Sequence, residues 1–198
     1  DYSPVTKADY FSHQKLCEFL PTLIAVPCIS EEGNFDYETR SQLTTFWLID
    51  PIDGTKEFIN KTDEFSINIA LIHKHKPILG IISLPALAQR YWSLKNFGAY
   101  LGKKLIFNKR KSTELIGLES ISHSSLVSAQ IYKQLGVQTI HKMGAAFKFG
   151  AIAEGLADVY IRSKGTKEWD TASGQLIVEE AGCFCFDLST FSPMTYNK

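Results

Sequence analysis

Trp47-Leu48-Ile49-Asp50-Pro51-Ile52-Asp53-Gly54-Thr55-Lys56-Glu57-Phe58 carries an apolar run into two carboxylates, a glycine and a hydroxyl, and its reading decides the fold. Phe46 to Ile49 is aromatic and aliphatic, the composition of a buried strand. Pro51 removes a backbone donor and biases Asp50 toward an extended conformation, so the chain is expected to leave the sheet there and turn at Gly54. On such a bend Asp50 and Asp53 can converge on a cation, whereas in a continuous strand they would face opposite sides. The N–H groups of Gly54 and Thr55 are then available to an anion, more so if a helical turn starts there. One reading is metal plus phosphate chemistry; the plain alternative is an Asp-rich turn between two core segments.

Composition bounds the answer. The chain has 198 residues, 44% of them hydrophobic, enough for one large domain or two small ones. Lys plus Arg and Asp plus Glu number 21 each, so no global field recruits a nucleic acid polymer or an anionic membrane, and an anionic ligand must be held locally. The longest apolar runs, Ile67 to Ile72 and Ile78 to Leu84, are too short to cross a bilayer, so no integral membrane segment is expected. No signal peptide is visible, and residues are expected to precede Asp1. Cys17, Cys28, Cys183 and Cys185 lack metal-finger spacing and read as reduced thiols of a cytoplasmic protein, with peripheral placement on the inner membrane as a variant.

Outward from the central stretch, Tyr10 to Leu20 has helical periodicity and is expected to end at Pro21; Thr6 or Asp9 is placed to cap it. Ile24 to Ile29 reads as a strand leading to Glu31 and Glu32, and Asn34 to Thr45 as a surface loop. Residues 65 to 107 read as an antiparallel meander. From Leu115 the pattern alternates: strand at Leu118 to Ser122, helix at Leu126 to Leu135, strand at Val137 to His141, helix at Gly144 to Glu154, strand at Ala157 to Ile161. Asp170 heads a helix over Thr171 to Ala181, where a lone Asp is by default an N-cap, and Phe184, Phe186 and Leu188 alternate as a last strand. Two units are expected, 1–114 and 115–198, joined in one compact catalytic fold.

Two phosphatase families compete for the central motif. Haloacid-dehalogenase-type enzymes end a strand in Asp-x-Asp-Gly-Thr with a nucleophilic first Asp, but here the spacing is Asp-x-x-Asp. Four features taken together are more specific: Asp9 in a Pro-Val-Thr-x-Ala-Asp opening, Glu31 after a strand, the Asp50 to Thr55 bend, and Trp169-Asp170 heading a helix that ends Glu-Ala-Gly. In this order they resemble the inositol-monophosphatase-like, magnesium-dependent, lithium-sensitive phosphatases over nearly the whole chain. Asp53-Gly54-Thr55-Lys56-Glu57-Phe58, Lys148 after Gly144, and the Ala-Glu-Gly-x-Ala-Asp run at 153 to 158 look most like the CysQ-type 3′(2′),5′-bisphosphate nucleotidase branch.

That resemblance implies an α/β (α+β) fold, a layered αβαβα sandwich, and hydrolysis of 3′-phosphoadenosine 5′-phosphate to AMP and phosphate. It implies that Glu31, Asp50, Asp53, Asp170 and the carbonyl of Ile52 hold Mg²⁺, hard oxygen ligands for a hard cation. Thr55, held by Asp9, and Glu31 would activate the attacking water, making Asp9, Glu31 and Thr55 catalytic. The substrate would rest on Asp53, Gly54, Thr55, Ser124, Gly144, Lys148 and Asp170, with Lys148 against the distal 5′-phosphate; a solvated helix lysine is the alternative. The chain departs from the branch at Ser122-His123-Ser124-Ser125, where Ser125 replaces a nucleotide-contacting histidine, and at Ala145-Ala146, which replace a serine pair. An inositol or sugar monophosphatase and a non-catalytic phosphate- or nucleotide-binding module are the other readings. The expected partners are a small phosphorylated substrate and, in a homodimer, a second copy of the chain.

Overall fold

A computed structural model describes residues 5–122, 124–163 and 165–198. Strand β1 (Cys28–Ser30) lies parallel to β2 (Thr45–Asp53), and β3 (Ser66–His73), β4 (Lys76–Leu84), β5 (Gln89–Leu94), β6 (Gly98–Leu101) and β7 (Lys104–Ile106) follow as an antiparallel meander, giving a seven-stranded sheet in sequence order. Apolar residues run unbroken from Phe46 to Ile49 because both faces of β2 are covered. Trp47 and Ile49 pack with Leu16 and Leu20 of helix α1 (Lys7–Leu23), whereas Phe46 and Leu48 share a cluster with Ala172 of helix α6 (Glu168–Glu180).

A second, three-stranded sheet is parallel throughout, in the order β10 (Val159–Tyr160), β8 (Ile116–Ser120), β9 (Thr139–Met143). Helix α4 (Leu126–Gln134) joins β8 to β9 and is tied down by Tyr132, whose hydroxyl donates to the Leu118 carbonyl. Helix α5 (Phe147–Glu154) packs on β10 and on α6, and α6 crosses β4 and β3, so α5 and α6 form the layer between the sheets. The layers are helix, sheet, helix pair, sheet, helix, the sandwich expected from the resemblance. At Gly80 the α6 backbone lies directly on β4: a Cβ there would stand 2.6 Å from the Ser173 carbonyl oxygen.

Several sequence expectations need correction. Helix α1 does not stop at Pro21 but contains it and runs to Leu23. The proline falls in the last turn, and the Ile24 N–H closes the helix on the Leu20 carbonyl. The strand expected from Ile24 shrinks to Cys28–Ser30, since Ile24 is spent as a cap and pairing starts at Cys28 opposite Trp47. Within the expected loop, Asp36 caps a short helix, α2 (Tyr37–Ser41), by accepting from the Thr39 N–H. Helix α5 begins at Phe147, not Gly144. Phe184 to Leu188 makes no strand: Phe184 is 88% exposed, and the described pairing is a single bridge from Phe186 to Pro193.

The central stretch also differs from its sequence reading. Strand β2 does not end at Asp50 but continues through Pro51 to Asp53, with a register shift between Asp50, paired to Asn68, and Asp53, paired to Ser66. Irregular pairing tolerates a proline, because no ladder hydrogen bond is asked of its nitrogen. The shift, rather than departure from the sheet, breaks the strict alternation that would set the two carboxylates on opposite faces.

Candidate active site

The C-terminal end of β2 is the focus. After Asp53, Gly54 adopts a left-handed conformation (φ 88°) and opens the one-turn helix α3 (Thr55–Ile59). Phe58 anchors that turn edge-on against Phe65, with ring centroids 5.1 Å apart. A helix leaves its first N–H groups without intrahelical partners, so those at the Gly54–Thr55 turn, directly after Asp53, are left for a ligand or water. Thr55 Oγ1 donates toward the Ile52 carbonyl (3.1 Å) and Asp9 Oδ1 (3.3 Å). Asp9 is both a cap and a site residue: its Oδ2 accepts from the Thr6 N–H (2.7 Å) and hydroxyl (2.5 Å), which leaves Oδ1 for Thr55. The capping box of α1 thus fixes the orientation of the threonine.

Glu31, Asp50, Asp53 and Asp170 converge electrostatically. Asp50 is buried, and its Oδ1 has no hydrogen-bond partner. Burial first, then the charges of Asp53, Glu31 and Asp170, raise its pKa well above the ordinary carboxylate range. Glu31 is raised to about 6 by burial and by neighbouring carboxylates, offset in part by a hydrogen bond with Asp50. Asp170 is raised to about 7, chiefly by burial and then by Asp53, even though its Oδ2 caps α6 by accepting from the Lys167 N–H at 2.8 Å. Asp53 is also raised by burial, with Lys148, Asn68 and Ser66 pulling the other way. A buried carboxylate oxygen without a partner, amid acids that repel one another, fits a hard divalent cation. Among the described residues no three such side chains are already closed into a metal cage.

In metal-free buffer the fold therefore holds protons that the unfolded chain has released. Because the folded pKa values of Glu31 and Asp170 lie above their ordinary values, this contribution is complete below about pH 4 and is lost as pH rises through about 6 to 7. With a chelator present, the melting temperature is expected to be lower near pH 8 than near pH 5, a loss on the order of a few kcal/mol. Added Mg²⁺ should restore it at the higher pH, and a flat or rising profile in the chelator would contradict the carboxylate cluster.

The remaining residues named from the sequence fall into place unequally. Lys148 is not a solvated helix lysine: it is 3% exposed, its Nζ donates to the carbonyls of Met143 (3.1 Å) and Ala145 (2.5 Å), and it lies 5.2 Å from the Tyr160 ring centroid. Burial lowers its pKa to about 8, against the opposing pull of Asp53. Gly144 is a glycine because Glu64 occupies the space of a side chain; a Cβ would meet the Glu64 carbonyl oxygen at 2.7 Å, and the Gly144 N–H donates to Glu64 Oε2 at 2.8 Å. Ser124 is exposed next to Ser125, which caps α4 by accepting from the Ser128 N–H. His123 lies outside the described residues. Sequence reading missed Ser66 and Asn68, whose side chains donate to Asp53 Oδ2 at 3.4 and 3.3 Å. Their signal was two polar residues at period two in an otherwise apolar strand.

The model of the inositol monophosphatase family matches residues 1–197. The 3′(2′),5′-bisphosphate nucleotidase CysQ of Haemophilus influenzae is 36% identical to this chain, with 100% of the chain and 77% of that protein covered. Its counterpart in Escherichia coli is 37% identical, with 94% and 77% covered. The crystal structure of CysQ from Bacteroides thetaiotaomicron superposes with a TM-score of 0.91 at 32% identity, covering 100% of this chain and 81% of that one. An IMPase of Thermotoga maritima, at 24% identity and a TM-score of 0.76 over 91% of this chain and 70% of that one, shares the fold.

Proposed function

Because the chain belongs to the inositol monophosphatase family, we propose that it is a phosphomonoesterase that hydrolyses 3′-phosphoadenosine 5′-phosphate to AMP and phosphate. What supports this reading is the electrostatic coupling of Glu31, Asp50, Asp53 and Asp170, with the buried Asp50 Oδ1 unpartnered and Thr55 Oγ1 donating toward Asp9. Those four carboxylates and the Ile52 carbonyl would hold Mg²⁺. When bound, the cation neutralises the carboxylates, lowers the pKa of a water and stabilises charge on phosphoryl oxygens.

The chain's own groups do the rest. Asp9 orients the Thr55 hydroxyl, which positions the attacking water. Glu31 would accept its proton. The Gly54 and Thr55 N–H groups receive phosphate oxygens. Beside the turn, a cavity of about 530 Å³ lined by Lys56, Glu57, Asn60, Glu64 and Ser122 offers polar groups to the rest of the substrate. The 1–114 and 115–198 units act as one catalytic fold, joined through α6 on β3 and β4 and through the Gly144 N–H on Glu64.

Phosphate release from the adenosine bisphosphate, assayed with Mg²⁺ and with a chelator and compared with inositol monophosphate, tests the proposal. Metal-dependent turnover that prefers the bisphosphate is expected. Equal or greater turnover of inositol monophosphate would give the sugar phosphatase reading, and none on either would leave a binding module.

Lys148 supports this site by bracing the 143–145 segment. Lys148→Met is expected to leave two carbonyls without their donor and to cost about 2 kcal/mol of stability. Turnover should fall on both substrates alike, since the loop serves both. A selective loss on the bisphosphate would instead put the ammonium on the second phosphate.

A further inference from the structure

Glu64 lies just before β3, where the loop that follows α3 meets the 143–146 segment of the second unit. A Cβ at Gly54 would stand 3.1 Å from the Glu64 carbonyl oxygen and 3.3 Å from the Ala145 methyl, and one at Gly144 would stand 2.7 Å from the same oxygen. The two glycines therefore close on one peptide, and the 144–145 segment rests on the turn that opens α3. That segment is strained: Ala145 has φ 42°, in the left-handed region that a Cβ disfavours. Its neighbours hold it there. The Gly144 N–H donates to Glu64 Oε2 (2.8 Å) and the Ala146 N–H to Ser66 Oγ (3.3 Å), while Lys148 Nζ donates to the carbonyls on either side of Gly144. Strain of this kind persists only where the surroundings over-determine it, and it gathers at functional sites.

We propose that Glu64 is a positioning residue for turnover: its carboxylate holds the 144–146 segment in its left-handed bend, and the Ala145 methyl then seats the Gly54 turn whose N–H groups receive the phosphate. Glu64 acts through Gly144 and Ala145, since the oxygen concerned is spent on a main-chain N–H. A carboxylate makes the stronger, charge-assisted bond to that N–H. When the bond is lost, Ala145 is free to relax toward negative φ and its methyl leaves Gly54. A turn displaced in this way no longer meets the phosphate in its reacting geometry, and small misplacements near the chemistry are costly.

Glu64→Ala is expected to lower kcat on the adenosine bisphosphate roughly tenfold, and to weaken calorimetric binding of inorganic phosphate in Mg²⁺ by a similar factor. Glu64→Gln should recover most of both losses, because its amide oxygen can still accept from the Gly144 N–H. Ala145→Gly keeps the bend without strain but removes the methyl, so kcat should fall several-fold while the melting temperature holds; this variant decides the case even if Glu64→Ala does not fold. A lower melting temperature in Glu64→Ala with kcat and phosphate binding unchanged would make Glu64 merely structural and overturn the inference. So would a raised KM for the bisphosphate with phosphate binding intact, which marks a direct contact to the nucleoside, or parent-like kcat in Ala145→Gly. The turnover arm rests on the proposed phosphatase reading, whereas the phosphate arm needs no turnover. A parent that binds phosphate but releases none from the bisphosphate counts against that reading while phosphate binding by the variants still tests Glu64. An active parent matched by its variants counts against Glu64 alone.

Discussion

Asp53→Asn is expected to lower turnover roughly a thousandfold while leaving the fold intact, and it is the sharpest test of the site. Asp53 stands at the end of β2, immediately before the Gly54 turn, where Ser66 and Asn68 hold one of its oxygens. An amide keeps the size of the side chain and one acceptor, so packing survives while the charge that attracts a divalent cation is lost. In metal-free buffer the melting temperature should hold or rise, because one member of a mutually repelling set has become neutral. Asp170→Asn should behave in the same way, since an amide oxygen can still accept from the Lys167 N–H. Turnover within a few-fold of the parent at ordinary Mg²⁺ would reduce both residues to caps and turn formers.

The second large effect is on stability. Gly80→Ala should destabilise the protein by roughly 3 kcal/mol, because the added methyl would stand 2.6 Å from the Ser173 carbonyl oxygen. The obstacle is main chain in the middle of α6, so no rotamer change relieves it. The helix must lift from β4, and its first turn carries Asp170, so metal binding should weaken along with the fold. For a domain of this size the melting temperature should drop by roughly 10 °C. A fall of only one or two degrees would mean that α6 does not press its backbone on β4 at Gly80.

The mechanism can be separated from its covalent competitor. If water attacks phosphorus directly, rapid quench should trap no aspartyl-phosphate on Asp50. Asp50 is buried and its pKa is raised well above the carboxylate range, which argues against a free nucleophilic carboxylate in the metal-free protein. Detection of that adduct by mass spectrometry would restore the dehalogenase-type reading.

Much of this was determined by sequence alone. The run from Trp47 to Ile49 had to be a buried strand, and the meander from Phe65 to Ile106 follows from short β-rich runs punctuated by turn residues, both being local patterns. Asp50 and Asp53 could be paired as acids on one bend, but Glu31 and Asp170 joined them only through the family resemblance, since read alone they are a loop residue and an N-cap. Tertiary structure decided what those residues touch. Whether Pro51 ends a strand or sits in an irregular register depends on β3 lying alongside. Whether Asp9 only caps α1 or also orients Thr55 depends on α1 crossing β2. Lys148 reads from its helix alone as a solvated lysine and from the resemblance as a phosphate ligand; the packing of α5 against the 143–145 segment rules out the solvated lysine and sets its ammonium on two carbonyls. The glycines at 80 and 144 read as freedom in the sequence and prove to be space, filled in each case by the backbone of an element distant along the chain.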